Sequence, residues 1–210
     1  MISGKVIVND AHFAYLRLQK GSLEPLAHDR ALWHAAYEAD LWRTYSEIHP
    51  YLPESCSGAS LDVGSGLGGI DVLLSRHYGG ELRVNLLDGE HDAPAMTLHR
   101  QTFSSEAVAR DFLSMNGVRP DRIGYSTPAS PDFTLVWDLV LSLGSWCFHY
   151  APDVYLPRLL EGGGLHTDTV IILDVRRDKG EWTSQLIAHL REVASIRITN
   201  KWARGVYALR

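Results

Sequence analysis

Apolar positions along the chain change their spacing several times, and each change marks a new element. After Asp29, a residue suited to cap a helix, Leu32, Ala35, Ala36, Ala39, Trp42 and Tyr45 recur at helical intervals until His49 and Pro50. That spacing predicts an amphipathic helix. The polar turn YLPESCSG follows, and ASLDV reads as a short buried strand running into glycines. GGIDVLLSRHYGG is helical, with Ile70, Val72, Leu73 and Leu74 as its apolar surface and Gly79 and Gly80 as its stop. LRVNLLD is a second strand. A helix over 105–116 carries Val108, Phe112 and Leu113 on one face and ends at Asn116 and Gly117. RIGYST gives a third strand, and the nearly continuous apolar run WDLVLSLGS gives a central one covered on both faces. DVYLPRLLE predicts a short helix closed by Gly162 to Gly164, TVIILDVRR a buried strand, and EWTSQLIAHLREVA a helix with Trp182, Leu186, Ile187 and Leu190 on one side. SIRITNKWA and GVYALR close the chain as two strands whose link is too short for a crossover helix, so they form an antiparallel hairpin.

Alternating strands and helices predict an α/β fold: a doubly wound, Rossmann-like, seven-stranded sheet, mostly parallel with an antiparallel C-terminal hairpin strand. With 210 residues, 45% of them hydrophobic, one compact domain accounts for the whole chain, and no repeat or low-complexity segment interrupts it. A formal charge of −5 offers no basic field for a phosphate backbone, which argues against nucleic acid as a partner. No run of eighteen apolar residues and no basic leader before an apolar stretch occurs, so the expectation is a cytoplasmic protein with no membrane partner. Cys56 and Cys147 stand far apart and outside any CxxC pair, as expected of reduced thiols.

Candidate chemistry begins at LDVGSGLGGI, four glycines in six residues where the first strand gives way to a helix. Glycines at such a junction let backbone approach a ligand, and the helix N-terminus behind them offers free N–H groups. Gly64, Gly66 and Gly69 satisfy GxGxxG, and Asp88 ends the second strand 22 residues beyond Gly66, which is the dinucleotide fingerprint. The same residues spell D-x-G-x-G-x-G from Asp62 to Gly68, and this stretch resembles the first motif of class I S-adenosylmethionine-dependent methyltransferases. WDLVLSLGSWCFHY looks like that family's fourth-strand motif, and the terminal hairpin is similar to its reversed last strand. The resemblance covers roughly residues 58–210. It implies S-adenosyl-L-methionine as cofactor, with contacts at Asp62, Gly64, Ser65, Gly66, Gly68, Asp88, Gly89, Thr127 and Ser142. Asp62 would help place the cofactor's ammonium and Asp88 would hold its ribose. Many relatives carry an aspartate after the third strand to meet adenine; this chain reads GYSTPAS, leaving Ser126, Thr127 or a backbone carbonyl.

Methyl transfer from a sulfonium needs in-line geometry and exclusion of water, and a hydroxyl acceptor must also lose its proton. By resemblance the acceptor meets the methyl group at SLGSWCFHY. His149 is the candidate base, Tyr150 a second catalytic candidate, and Trp146 or Phe148 a hydrophobic wall; a packing role for the aromatics and a capped surface role for the histidine is the plain alternative. The irregular stretch 89–103 brings His91, Asp92, His99 and Arg100 as possible substrate contacts, or is a solvated insertion. No compact carboxylate or histidine cluster suggests a metal. SWCFHYAPDVYL is similar to a stretch of bacterial proteins described as sugar O-methyltransferases, which implies a small-molecule acceptor such as a sugar. Residues 1–57 would form a helical lid over the cofactor mouth of a monomer or homodimer. An NAD-dependent oxidoreductase, whose last strand would be parallel, and a non-catalytic scaffold with this fold stand as alternatives.

Overall fold

The computed structural model describes residues 4–56, 58–89 and 104–210. Seven strands form one sheet in the order β3-β2-β1-β4-β5-β7-β6. They are β1 (Ala59–Val63), β2 (Arg83–Leu87), β3 (Ile123–Ser126), β4 (Trp137–Ser142), β5 (Leu165–Arg176), β6 (Leu190–Ile198) and β7 (Trp202–Leu209). Strands β1 to β5 pair in parallel, and β7 runs antiparallel to both β5 and β6, as the short terminal link requires.

Alternation along the central strands divides the interior in two. Leu139 and Leu141 of β4 and Ile172 of β5 enter one core with α1 (Asp10–Gln19), α2 (Arg30–Ile48), α3 (Gly69–His77) and α4 (Glu106–Met115). Val140, Ile171 and Leu173 enter the other, with α5 (Leu156–Glu161) and α6 (Gly180–His189). On β1 this parity sends Leu61 and Val63 into the α5/α6 core, so Asp62 between them turns toward α3.

Several elements differ from the sequence reading. In α2 the buried stripe is Trp33, Tyr37, Leu41, Tyr45 and Ile48, whereas Leu32 is exposed. Bulky residues at four-residue spacing outweigh the alanines, since a fully buried large apolar side chain is worth about 1.5–3 kcal/mol. The last helix stops at His189, and LREVA opens β6, an edge strand paired with β7 from Leu190 onward. The hairpin turn accordingly falls at Thr199, whose hydroxyl accepts from the N–H groups of Lys201 and Trp202.

Helix α1 was not singled out in the sequence, although His12, Tyr15 and Leu16 bury one of its faces at helical spacing. Its start is fixed by a capping box: the Asn9 side chain accepts from His12 N, while His12 Nδ1 accepts from Asn9 N. That leaves the Nε2 proton of the buried His12 for Asp111 of α4, 2.8 Å away. Before α1 the chain has no regular secondary structure, and its backbone is held by side chains. Arg76 donates to Gly4 O and Lys5 O, Glu38 accepts from Val6 N, and Asn116 brackets Ile7 at both N and O.

At the other end of the sheet, Arg204 of β7 donates through Nε and Nη2 to both oxygens of Asp174 on β5, at 2.7 and 2.9 Å, and through Nη1 to Glu47 of α2. The reversed strand is thus tied to its neighbour and to the helix above it.

Candidate functional site

The parallel strands β1, β2 and β4 end side by side, and the loops leaving them meet. After Val63 the backbone turns through Gly64 (φ +73°) and Gly66 (φ +59°), conformations costly for any residue with a side chain. Space is short as well. A Cβ on Gly64 would lie 1.9 Å from Ser145 Oγ, and one on Gly66 would lie 2.7 Å from Gln19 Oε1. Gly68 caps α3, and at Gly69 a Cβ would fall 2.3 Å from the Tyr37 hydroxyl. Gly69 is therefore required by packing of α2 on α3. The face of the loop between Gly64 and Gly66 meets side chains from two other segments.

Asp88, one residue beyond β2, organises this junction. Its Oδ2 accepts from Gly66 N and its Oδ1 from Gly89 N, both at 2.7 Å, and Ser104 Oγ stands 3.4 Å from Oδ2. Ser104 is in turn 3.0 Å from the Tyr125 hydroxyl, which also reaches Gly89 O. Only 9% exposed, the carboxyl is pushed up to about 7 by burial, against the opposing pull of the two backbone N–H groups. Two further carboxylates, Asp62 and Asp71, are buried under the loop. Burial and mutual proximity hold the Asp62 carboxyl well above the usual range, with Lys20 opposing, and Asp71 rises to about 6. Oδ1 of Asp62 and both oxygens of Asp71 meet no hydrogen-bond donor. Two carboxyl groups facing each other hold a proton between them.

The segment after β4 is wound tightly. Ser142 Oγ donates to Val63 O and accepts from Trp146 N, both at 2.8 Å, so its hydroxyl fastens the segment to β1. Cys147 adopts φ +64°, held by bonds between its N and Tyr150 O and between its O and Arg176 N. Trp146 is 1% exposed and donates to Pro152 O from inside the α5/α6 core, so the expectation that it lines an acceptor gives way to a packing role. His149 is exposed, its ring 5.0 Å from that of Phe148, with its pKa lowered by burial of part of the ring and then by Arg176. Arg176 lies over Phe148 at 5.6 Å. The half-buried Tyr150 has its phenol raised by burial and then by Asp88, which puts it within electrostatic reach of that carboxylate.

Of the expected cofactor residues, Asp62, Gly64, Ser65, Gly66, Gly68, Asp88 and Gly89 come together at this junction. Thr127 is half-buried past the end of β3, two residues beyond the Tyr125 that reaches Gly89. His91, Asp92, His99 and Arg100 lie outside the described residues. Among the described residues no group of histidines, cysteines and carboxylates suits a metal, and no helix is long and apolar enough to cross a membrane. A hollow of about 310 Å³ lies away from the strand ends, lined by Val8, Phe13, Arg30, Ala31, Trp33 and His34. Arg30 covers Phe13 and donates to Val8 O, so this hollow belongs to the docking of the N-terminal arm. Sequence reasoning missed Gln19, Lys20, Asp71 and Ser104. Asp71 left a signal, a lone carboxylate in an otherwise apolar helical run; the other three left none.

No protein-family model and no curated protein matches the chain. Solved structures do. A variant of MtNAS in complex with S-adenosylmethionine aligns over 92% of this chain and 72% of its own, with a TM-score of 0.55 and 15% identity. Mitomycin 7-O-methyltransferase MmcR aligns over 96% of this chain and 69% of its own, at 0.54 and 15%. A ribosomal protein L11 methylase from Lactobacillus delbrueckii subsp. bulgaricus aligns over 79% and 75%, at 0.51 and 16%. Strand order, the reversed β7 and these alignments agree: the chain has the class I methyltransferase fold.

Proposed function

We propose that the chain is an S-adenosylmethionine-dependent methyltransferase acting on oxygen of a small acceptor such as a sugar. The observation that carries this reading is Asp88, a buried carboxylate at the end of β2 whose two oxygens are aimed by Gly66 N and Gly89 N. Oδ1 keeps a lone pair for a further donor, and on Oδ2 the second donor is Ser104 Oγ at a long 3.4 Å, which a ribose hydroxyl could replace. The neighbouring acids Asp62 and Asp71 lack donors, which fits a ligand bringing a positive group to the loop. The dinucleotide alternative asked for a parallel last strand, and β7 is antiparallel.

When bound, the cofactor would supply an electrophilic methyl group on a sulfonium. The chain's own part is to hold, exclude and deprotonate. Asp88 and the glycine loop fix one reactant against the strand ends. Residues 1–57 act as the lid, because α1 ends with Gln19 against Gly66. His149, kept neutral by its lowered pKa, takes the acceptor hydroxyl's proton on an imidazole nitrogen, and Phe148 beside it lines the approach. Tyr150, near Asp88, orients the acceptor. Ser142 holds the segment in place through its two structural bonds.

The test is methyl transfer by the purified chain to a panel of sugars and phenols, with His149→Ala alongside. The reading expects cofactor affinity unchanged and turnover reduced about 100-fold in the variant, the usual share of a general base. Full turnover without His149 removes it as the base.

A further inference from the structure

Four buried side-chain atoms without a hydrogen-bond partner gather around the glycine loop: Gln19 Nε2, Asp62 Oδ1 and both oxygens of Asp71. Their chemistry is mixed. The carboxylates ask for a cation, and the amide nitrogen asks for an acceptor. A proton shared by Asp62 and Asp71 still leaves the pair one negative charge, and no acceptor faces Gln19 Nε2; Gln19 Oε1 would lie 2.7 Å from a Cβ on Gly66, and Asp71 Oδ2 3.4 Å from one on Gly68. Lys20, the next residue, adds a positive charge that is felt at Asp62 and is held 3.4 Å from Asp40. Buried polar groups of native proteins are nearly always paired, so a set of orphans of both kinds in one place is the imprint of a ligand carrying both charges.

From this the geometry points to Gln19, with Lys20 beside it, as a binding residue for the carboxylate of an α-amino-acid group whose ammonium lies toward Asp62 and Asp71. The inference rests on the cofactor reading above, and adds to it a contact from outside the sheet. Helix α1 reaches the loop because Tyr15 and Leu16 seat it in the core, its first turn is fixed to α4 by His12 and Asp111, and the arm before it is held by Arg76, Glu38 and Asn116. The lid therefore does more than cover: it reads the charged tail of what it closes upon.

Two probes separate this contact from the rest of the site. S-adenosylhomocysteine carries the amino-acid group, and 5′-methylthioadenosine has the same nucleoside thioether without it. Calorimetric titration of the full chain, Gln19→Ala and Gln19→Glu with both compounds gives the answer. Loss of one hydrogen bond to a charged group predicts about 10-fold weaker binding of S-adenosylhomocysteine by the alanine variant. The glutamate variant, equal in size and opposite in charge to what the carboxylate needs, weakens it further. Affinity for 5′-methylthioadenosine stays the same in all three proteins, which also shows that the variants fold. Equal losses for both probes, or no loss for either, overturn the role of Gln19 while leaving the cofactor reading standing. A wild-type chain that binds neither compound overturns the cofactor reading itself, and this inference with it.

Discussion

Replacing Asp88 with asparagine tests whether the carboxylate at the strand ends is held at a cost. Burial raises its carboxyl from an ordinary 3.8 to about 7. Ionising it in the folded state therefore costs about 4 kcal/mol, at 1.36 kcal/mol per pH unit. Below about pH 4 folded and unfolded chains both carry the proton, and the group contributes nothing to pH dependence. Between about pH 4 and 7 the folded chain keeps a proton that the unfolded chain has lost, so this group's contribution declines as pH rises. Above about pH 7 the full penalty is present. Asparagine never ionises and escapes it. The substitution has its own cost, because one of the two N–H groups held by Asp88, on Gly66 or Gly89, then faces an amide NH₂. An unsatisfied buried donor is worth about 1–3 kcal/mol. Asp88→Asn should thus be less stable than wild type by about 2 kcal/mol near pH 4 and more stable by about 2 kcal/mol at pH 8, crossing a little above pH 5. Urea unfolding at several pH values between those limits measures both curves. Curves that run parallel would refute the raised carboxyl and the account of why it sits there. The variant's gain at pH 8 should come with loss of cofactor affinity, as happens where stability is given up for a site.

Two further outcomes follow from the same structure. Arg204→Met leaves the buried Asp174 without its cation, while Glu47 keeps Arg197, and should destabilise the chain by about 3–5 kcal/mol, partly recovered in the double variant with Asp174→Leu; denaturant midpoints decide it, and an unchanged single variant would mean the pair is screened. With its pKa lowered, His149 should make turnover rise with pH through a value below 6.5 and level off above it, and a profile rising through a value above 6.5 would contradict its environment.

Much of this architecture was legible in the order of residue types. WDLVLSLGS and TVIILDVRR read as buried strands because both faces of β4 and β5 are covered, one by α1–α4 and one by α5 and α6. The reversed β7 was legible for a covalent reason, the shortness of its link to β6. Local pattern failed where tertiary contacts decide. Leu190 to Ala194 continue a helical pattern, yet they become an edge strand because β7 supplies their backbone partners. Helix α1 was passed over although Tyr15 and Leu16 gave it a short apolar face; what the sequence could not show is that a histidine completes its cap and joins Asp111, far along the chain. At the site, Asp62, Gly64, Gly66 and Asp88 could be found because the turn demands glycine and the strand end demands a carboxylate. That Ser145 and Gln19 press on the two glycines could not, since those contacts join segments about 80 and 47 residues apart only once the sheet has folded. Trp146 misled for a similar reason: an aromatic beside a site has the same sequence signature whether it faces the ligand or the core.

The central claim is most directly tested by titrating the purified chain with S-adenosylmethionine, S-adenosylhomocysteine and NAD in a calorimeter, and repeating the titration on Asp88→Ala. The account predicts that both sulfur nucleotides bind, that NAD does not, and that Asp88→Ala loses them both. Binding of NAD alone, or binding of the sulfur nucleotides undiminished in Asp88→Ala, would contradict it.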